Sequence, residues 1–552
     1  MTGASPVTAT IQGNVVDENE APAQGVTITV DAKTAVTDAK GYFRIRNASL
    51  DNNASLVIAE KNGYFKAFRV FSASKAVNQV RIKLLKKDIS GTVSSSSGGA
   101  VALANGSIIN FSANSFSNLT GAAYSGTVNV YAHYIDPTRQ DIGETVPGSF
   151  LGNDKDNRRV ILTSYGMLAV ELESSTGEKL QISSGNTAKL SFPIPSAQQT
   201  SAPNQIALWY IDEKTGLWKE EGSAIKNGNT YEADVKHFTY WNCDVSGPTV
   251  NLAATFVQSH GVPLVYTGVT IRPQTGWATA HGYTDSLGQV NGPVPANIPL
   301  VLEVVAPYPC YNVIYSQNIG PFSSNVNLGT ITVNANQSVI TIQGTLTNCS
   351  GGPVTQGHAI IEYDNIIRYA SVNASGNFTS TFVSCGSGPA NGSITGVDIQ
   401  AQQQGQSTPV TITLPVTNAG TLTACGTSTL EYVNYTLDGS PVNLSSTTSG
   451  DSFAGHDVDS VGTGRTVYIQ GYRSQATNLT LHFPGSGVAG SFQADFISVN
   501  NYQNITLLQP FTINLTSYPA VGGFFEGSFT GQFKDASNVT HSLNGTLRVK
   551  RR

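Results

Sequence analysis

Charge is scarce in this 552-residue chain, at 12% Asp, Glu, Lys and Arg, and most of it lies in the first half. Of the 31 Lys and Arg, 22 fall before residue 251, as do 23 of the 36 Asp and Glu. The second half must owe its solubility to hydroxyl and amide side chains. No basic stripe is present to neutralise phosphates, which argues against nucleic acid as a partner. The closing Arg548, Lys550, Arg551 and Arg552 read as a solvated end. No apolar run approaches the roughly 18 residues that span a bilayer, so no transmembrane segment is expected. Met1 is followed at once by the polar TGASPV instead of a signal peptide, and the expectation is a secreted chain counted from its processed end.

Catalytic and metal-binding patterns are also missing. None of the eight histidines stands in an HxxE, HxH or HExxH arrangement, the clustered ligand set that zinc hydrolysis needs. No GxSxG elbow, P-loop or CxxC occurs. The expectation is a non-enzyme without metal or cofactor. Gly455–Ser460 has carboxylates in the spacing of a calcium loop, but Val461 stands where the next oxygen ligand belongs, so it reads as a polar surface loop. Five cysteines, Cys243, Cys310, Cys349, Cys385 and Cys425, are spaced too widely for a zinc knuckle. Three of them fall within 338–425, which suits a disulfide in an oxidising compartment. The odd count leaves one thiol without an intramolecular partner. Helical periodicity is absent, and β-branched and aromatic residues dominate the apolar runs.

What is present is repetition. One pattern occurs three times: an alternating strand, a polar turn with Pro22, Pro263 or Pro353, a second strand, and a further element after Gly41, Gly288 or Gly376. The second and third copies close on NLGTITVNA and NAGTLTACG. Repeats of that length mean tandem domains, not a solenoid. The chain divides into a tail (1–8), a first repeat (9–87), a different strand-rich segment (88–244) opening on the linker SGTVSSSSGGA, a second repeat (248–334), a third (338–425) and a last antiparallel domain (427–552), sandwich or open barrel. Trp209 and Trp218 flank a turn and read as core in preference to a sugar platform. Trp277, off any obvious strand, is the ligand-stacking candidate, against packing beneath its own loop. Asp285-Ser286-Leu287 and Asp459-Ser460-Val461 resemble the short O-glycosylation triplet of Bacteroidetes-type secreted proteins.

The repeats resemble the carboxypeptidase regulatory-like domain, a transthyretin-like sandwich. The resemblance is carried by Gly13 or Gly344, the proline turn, and Gly41-Tyr42-Phe43 or Gly376-Asn377-Phe378; the second copy departs from it at Gly288-Gln289-Val290. Residues 98–244 are similar to a ZU5-type sandwich, from Gly98-Gly99 through GTVNVYAHYIDPT to His237-Phe238-Thr239-Tyr240-Trp241. The domain order and the ending GTLRVK resemble Bacteroidetes-type surface lipoproteins. The implied fold is all-β: tandem sandwiches comprising regulatory-like repeats, a ZU5-like domain and a C-terminal antiparallel β domain.

The resemblances carry further expectations. Parallel neighbouring strands in the transthyretin-like fold would bring Cys349 and Cys425 within disulfide reach, with Cys385 a competitor for either. Cys243 and Cys310 either join the ZU5-like domain to the second repeat or remain buried thiols. Some ZU5-type sandwiches cut themselves at a His-Phe/Leu-Ser/Thr tripeptide, which places a self-cleavage candidate between Phe238 and Thr239, with His237 as base; the alternative is a plain last strand. The implied function is a structural, adhesive or partner-presenting protein, secreted or on the outer membrane, with a lipid anchor upstream of residue 1 and a surface protein or glycan as partner. The second reading is a glycan-binding accessory of a polysaccharide-uptake or degrading system.

Overall fold

The computed structural model describes residues 6–551 apart from 39, 260, 276–279, 307–310, 335–338, 364–365, 384–389, 447, 449–450, 461–463, 503 and 521. Among the described residues nearly every element is a strand, and the helical pieces are Ile142–Thr145 and the single turn Ser196–Gln198. Two compact units form. One comprises Met1–Ile342, Ser380–Ala390 and Ile412–Thr417; the other comprises Gln343–Thr379, Asn391–Thr411 and Asn418–Arg552.

In the first unit, Pro6–Val16 pairs antiparallel with Tyr42–Asp51 and parallel with Val77–Lys83. A four-stranded sheet, Lys33–Val36, Thr27–Val30, Ser55–Glu60 and Ala67–Phe71 in spatial order, supplies the second layer. Ile11, Ile28, Phe43 and Val57 fill the space between. The same plan recurs where Thr249–Gln258 pairs antiparallel with Gln289–Pro295 and parallel with Val326–Val333. Thr249–Gln258 alternates buried and accessible positions, the period-2 pattern of a strand with one face on a core.

One device locks each copy. The first strand bridges the turn proline at Val16–Pro22, Val257–Pro263 and Thr347–Pro353. Val15, Phe256 and Leu346 each donate an amide to the carbonyl of Gly41, Gly288 or Gly376 at 2.7–2.8 Å. These glycines have φ of +66°, +74° and +78°, and a Cβ would meet the opposing carbonyl at 2.2–2.5 Å. The departure of the second copy has a packing cause. A Cβ at Gly13 would meet the Phe43 ring at 2.8 Å, and one at Gly344 the Phe378 ring at 2.7 Å. In the second copy the facing pair is Ala254 and Val290, so the larger strand residue accompanies the smaller partner.

Between Ile89 and Gly247 a 13-stranded sheet folds around its own core, which includes Phe192, Tyr231 and Trp241. Its longest strand, Arg159–Ser174, is buried along nearly its whole length. Leu168 and Val170 serve that core, while Met167 and Ala169 join a second cluster with Phe65, Phe68, Trp209 and Trp218.

In the second unit, Ile366–Ser371, Gly357–Tyr363 and Ala390–Asp398 lie side by side. The C-terminal region is a two-sheet arrangement over one core. Six strands from Tyr432–Leu437 to Thr540–Lys550 face four from Ser452–Ser460 to Phe496–Val499, around Phe511, Phe525, Phe529 and Phe533. Two expectations are corrected here. Gly455–Ser460 belongs to the strand Ser452–Ser460 and is not a loop. Asp457, its carboxylate buried, is taken by Arg551 at 2.8 Å and Arg465 at 3.3 Å and by the Tyr518 hydroxyl. The basic C-terminus is likewise no loose end: Arg548 pairs with Glu526 at 2.7 Å and donates to the carbonyls of Leu430 and Ser428.

Candidate functional site

The densest chemistry of the first unit lies where three stretches of chain converge. In Val77–Lys83, Val80 and Ile82 point into the first core, so Arg81 and Lys83 emerge from the opposite face. The short helix Ile142–Thr145 meets that face with Glu144, preceded by Asp141, and the polar turn after the first strand supplies Glu20. Arg81 holds Glu144 at 2.7 Å and Glu20 at 2.5 Å; Lys83 holds Glu20 at 2.6 Å and Asp141 at 3.0 Å; Arg139 closes on Asp141 at 2.5 Å. Tyr283 and Tyr311 add hydroxyls to Glu144 at 3.2 and 3.3 Å.

Three cations thus face three carboxylates. Burial alone would lower the Arg81 pKa, but Glu144 and Glu20 more than reverse it, and the net shift is upward. Lys83 behaves alike, with its bonds to Glu20 and Asp141 outweighing burial. Asp141 is held below the usual carboxylate range because Arg139 and Lys83 overcome the burial that would raise it. The cluster is a set of matched charges.

Further bonds join the same stretches. Ser74 Oγ donates to Asp285 Oδ2 at 2.6 Å, the Val77 amide donates to Ser286 Oγ, and the Ser286 amide donates to the Val77 carbonyl. Val70 and Gly148 bond through their backbones, and Tyr240 donates its hydroxyl to the Lys66 carbonyl at 2.9 Å. The Ser286 hydroxyl is therefore engaged within the fold. Beside these contacts lies a cavity of about 320 Å³, with Arg69, Phe150 and His281 in its wall.

His237, Phe238 and Thr239 form a bend ahead of the strand Tyr240–Gly247, which corrects the plain-strand alternative. Phe238 is buried against Phe111, and Gln181 clamps its amide and carbonyl at 2.8 and 2.9 Å. The buried Thr239 hydroxyl has no hydrogen-bond partner among the described residues. His237 faces away toward Glu221, with Nε2 to Oε2 at 3.7 Å, and its ring lies 4.9 Å from both Tyr210 and Trp241. Burial lowers its pKa, with Glu221 opposing.

Cys349 and Cys425 form a disulfide with Cα atoms 5.1 Å apart. Cys243 is a buried free thiol, so the pairing of Cys243 with Cys310 is not made. Trp277, Cys310 and Cys385 lie outside the described residues. Trp209 and Trp218 are wholly buried, and Trp218 donates to the Ser149 carbonyl at 2.7 Å. No group of three or more metal-ligating side chains occurs among the described residues. No described helix is long and apolar enough to cross a membrane, which leaves β-barrels unaddressed. The ion cluster and the cavity had no signal in the sequence beyond the concentration of charge in the first half, because their partners lie far apart along the chain.

No family model matches this chain. Over 122 residues, 21% of its length, it is 27% identical to cartilage intermediate layer protein 2 of Homo sapiens, and over 114 residues it is 27% identical to the Mus musculus protein of that name. The match spans about a tenth of the length of these curated relatives. Among solved structures, the shaft pilin SpaA of Lactobacillus rhamnosus GG aligns with 33% of this chain and 99% of its own at 10% identity and a TM-score of 0.18. The Bacillus anthracis TIE protein aligns with 74% of this chain and 76% of its own at 10% identity and a TM-score of 0.16. Scores this low carry no argument about function.

Proposed function

We propose that this chain is a non-enzymatic cell-surface or extracellular protein of tandem sandwiches, divided near the sequence boundaries given above, that presents a surface to a partner and whose first unit is held rigid. The observation that supports this reading is the charge-matched cluster of Arg81, Lys83, Arg139, Glu20, Asp141 and Glu144. Matched ions that tie distant stretches together hold a geometry, whereas catalytic centres carry groups poised to change charge. An outer-membrane lipid anchor ahead of residue 1 would put the later sandwiches outermost, where a surface protein meets them.

Hydrogen exchange on the full chain tests the scaffold. Amides of Val77–Lys83 and Ala280–Tyr283 should open together, and Glu144→Gln should uncouple them. Independent opening in the unaltered protein would refute rigidity. A glycan array addresses the accessory role: sugar binding lost in Trp277→Ala would replace the protein-partner reading. Turnover of an ester, peptide or glycoside substrate, abolished by one carboxylate substitution, would overturn the non-enzyme assignment.

A further inference from the structure

We propose that the cavity of about 320 Å³ in the first unit binds a small organic carboxylate with an apolar body, its anionic end taken by Arg69 and His281. The walls are largely apolar, with Val70, Phe150, Leu252, Ile271 and Val290 contributing from separate parts of the chain. Polar side chains such as Asn78, Gln79 and Asn291 share the wall, and an apolar chamber with convergent polar groups is the usual form of a small-molecule site.

Arg69 identifies the charge. It is 7% exposed, donates Nε to the Arg81 carbonyl at 3.2 Å and directs Nη1 to the carbonyls of Phe68 and Val146. Among the described residues its Nη2 has no partner, and no carboxylate pairs with the guanidinium. Burial pulls its pKa down to about 10, so it stays charged at neutral pH. The nearby acids are already engaged: Glu144 serves Arg81, and Asp141 serves Lys83 and Arg139. Glu144 and Asp141 favour the Arg69 charge only from a distance, and a buried cation with no acid of its own is costly, a cost that a monoanion in the cavity reduces.

His281 supplies a second polar contact. Its Nδ1 lies 3.2 Å from Thr270 Oγ1, and its Nε2 is buried without a partner among the described residues. The carboxylate is taken by the tautomer in which the Thr270 hydroxyl donates to Nδ1, which leaves the ring proton on Nε2 as a donor. Burial, reinforced by Arg69, brings the imidazole down to about 4, so it is neutral at pH 7 and adds no second charge. Arg81 also lines the cavity but is spent on Glu144 and Glu20, so one uncommitted cation beside a neutral donor suits a carboxylate better than a doubly charged phosphate. Asp285, also in the wall, is saturated by Ser74 Oγ and the amides of Leu287 and Gln289, and its charge keeps the anionic end of a ligand away.

Calorimetry and thermal shift on the full chain with benzoate and hexanoate, against benzamide and hexanol, test this. The carboxylates should bind saturably and raise Tm, and the neutral analogues should bind roughly tenfold more weakly or worse. Arg69→Met should erase that preference. Gly292→Leu should abolish binding, because Gly292 lines the cavity and a Cβ there meets only Ser72 Oγ, at 3.5 Å. Absence of binding, equal affinity for acid and amide, or full affinity in a folded Gly292→Leu protein would each overturn the proposal. The acid-to-amide comparison on the unaltered chain decides alone if a variant does not fold.

Discussion

Arg81 and Glu144, 63 positions apart in sequence, meet at 2.7 Å with 17% and 7% of their side chains exposed. Breaking a buried pair costs about 3–5 kcal/mol, and removing Glu144 leaves three cations on two carboxylates, with Arg81 reduced to Glu20 alone. Glu144→Gln should therefore lower the denaturant midpoint of the first unit strongly. Adding Arg81→Met should recover part of the loss, since it removes the surplus cation while Glu20 keeps Lys83. Chemical denaturation of the two single variants and the double variant measures this, and strict additivity would show that the pair acts independently.

The cysteines should divide by reactivity. Cys349 and Cys425 close a segment with a sequence separation of 76, for which the chain-entropy estimate gives about 4 kcal/mol. The Cys349→Ala, Cys425→Ala protein should unfold at clearly lower denaturant in its second unit. Cys243 should resist alkylation until the first unit unfolds, because burial, then Asp244, raises its thiol well above the ordinary value. Peptide mapping after native and denaturing alkylation distinguishes the two classes; native labelling at Cys243 would contradict its enclosure.

The strand-rich plan was legible because alternation and turn glycines are local signals, and Gly41, Gly288 and Gly376 occupy one structural position in three copies. The lost aromatic at Val290 looked like a departure from the pattern, yet it is the volume partner of Ala254, a relation visible only once the strands pair. Gly455–Ser460 misled for the opposite reason. Its acidic spacing looks like a loop until Arg551, far along the chain, neutralises Asp457 inside the sheet. The cluster around Arg81 shares that character: local sequence reports that charges exist, but their pairing depends on which strand edge meets which helix.

The chain should remain one piece at Phe238–Thr239. Self-cleavage needs a base within hydrogen-bond reach of the attacking hydroxyl, and Thr239 Oγ1 has no partner among the described residues while His237 is turned toward Glu221. Gln181 also holds the Phe238 peptide by both its amide and its carbonyl. Denaturing electrophoresis should give a single band of full mass, unchanged in Thr239→Ala. Two fragments meeting at Thr239, absent from that variant, would refute this prediction.

Asp244 should make the first unit less stable as pH rises. It is 0% exposed on the strand Tyr240–Gly247, and neither carboxylate oxygen receives a hydrogen bond from the described residues. Ser164 Oγ, paired opposite it in the sheet, donates instead to Asn242 at 2.6 Å. Burial raises the carboxyl well above its ordinary value of 3.8, and the nearness of Ser164 and Asn242 offsets this only in part. Below that ordinary value, folded and unfolded chains both hold the proton, and the residue has no effect on the pH dependence. Above it the unfolded chain releases the proton while the folded chain keeps it, so stability falls with pH until the folded carboxyl ionises. Asp244→Asn keeps the shape and removes the titration. At pH 7 the variant should be more stable, because the fold favours the protonated carboxyl that the unfolded chain has given up. The gain should shrink as pH falls toward 4, and thermal melts of both proteins between pH 4 and 8 trace the difference. A loss at pH 7 would show that the native carboxylate is ionised and matched, and a gain independent of pH would show that Asp244 does not titrate differently on folding.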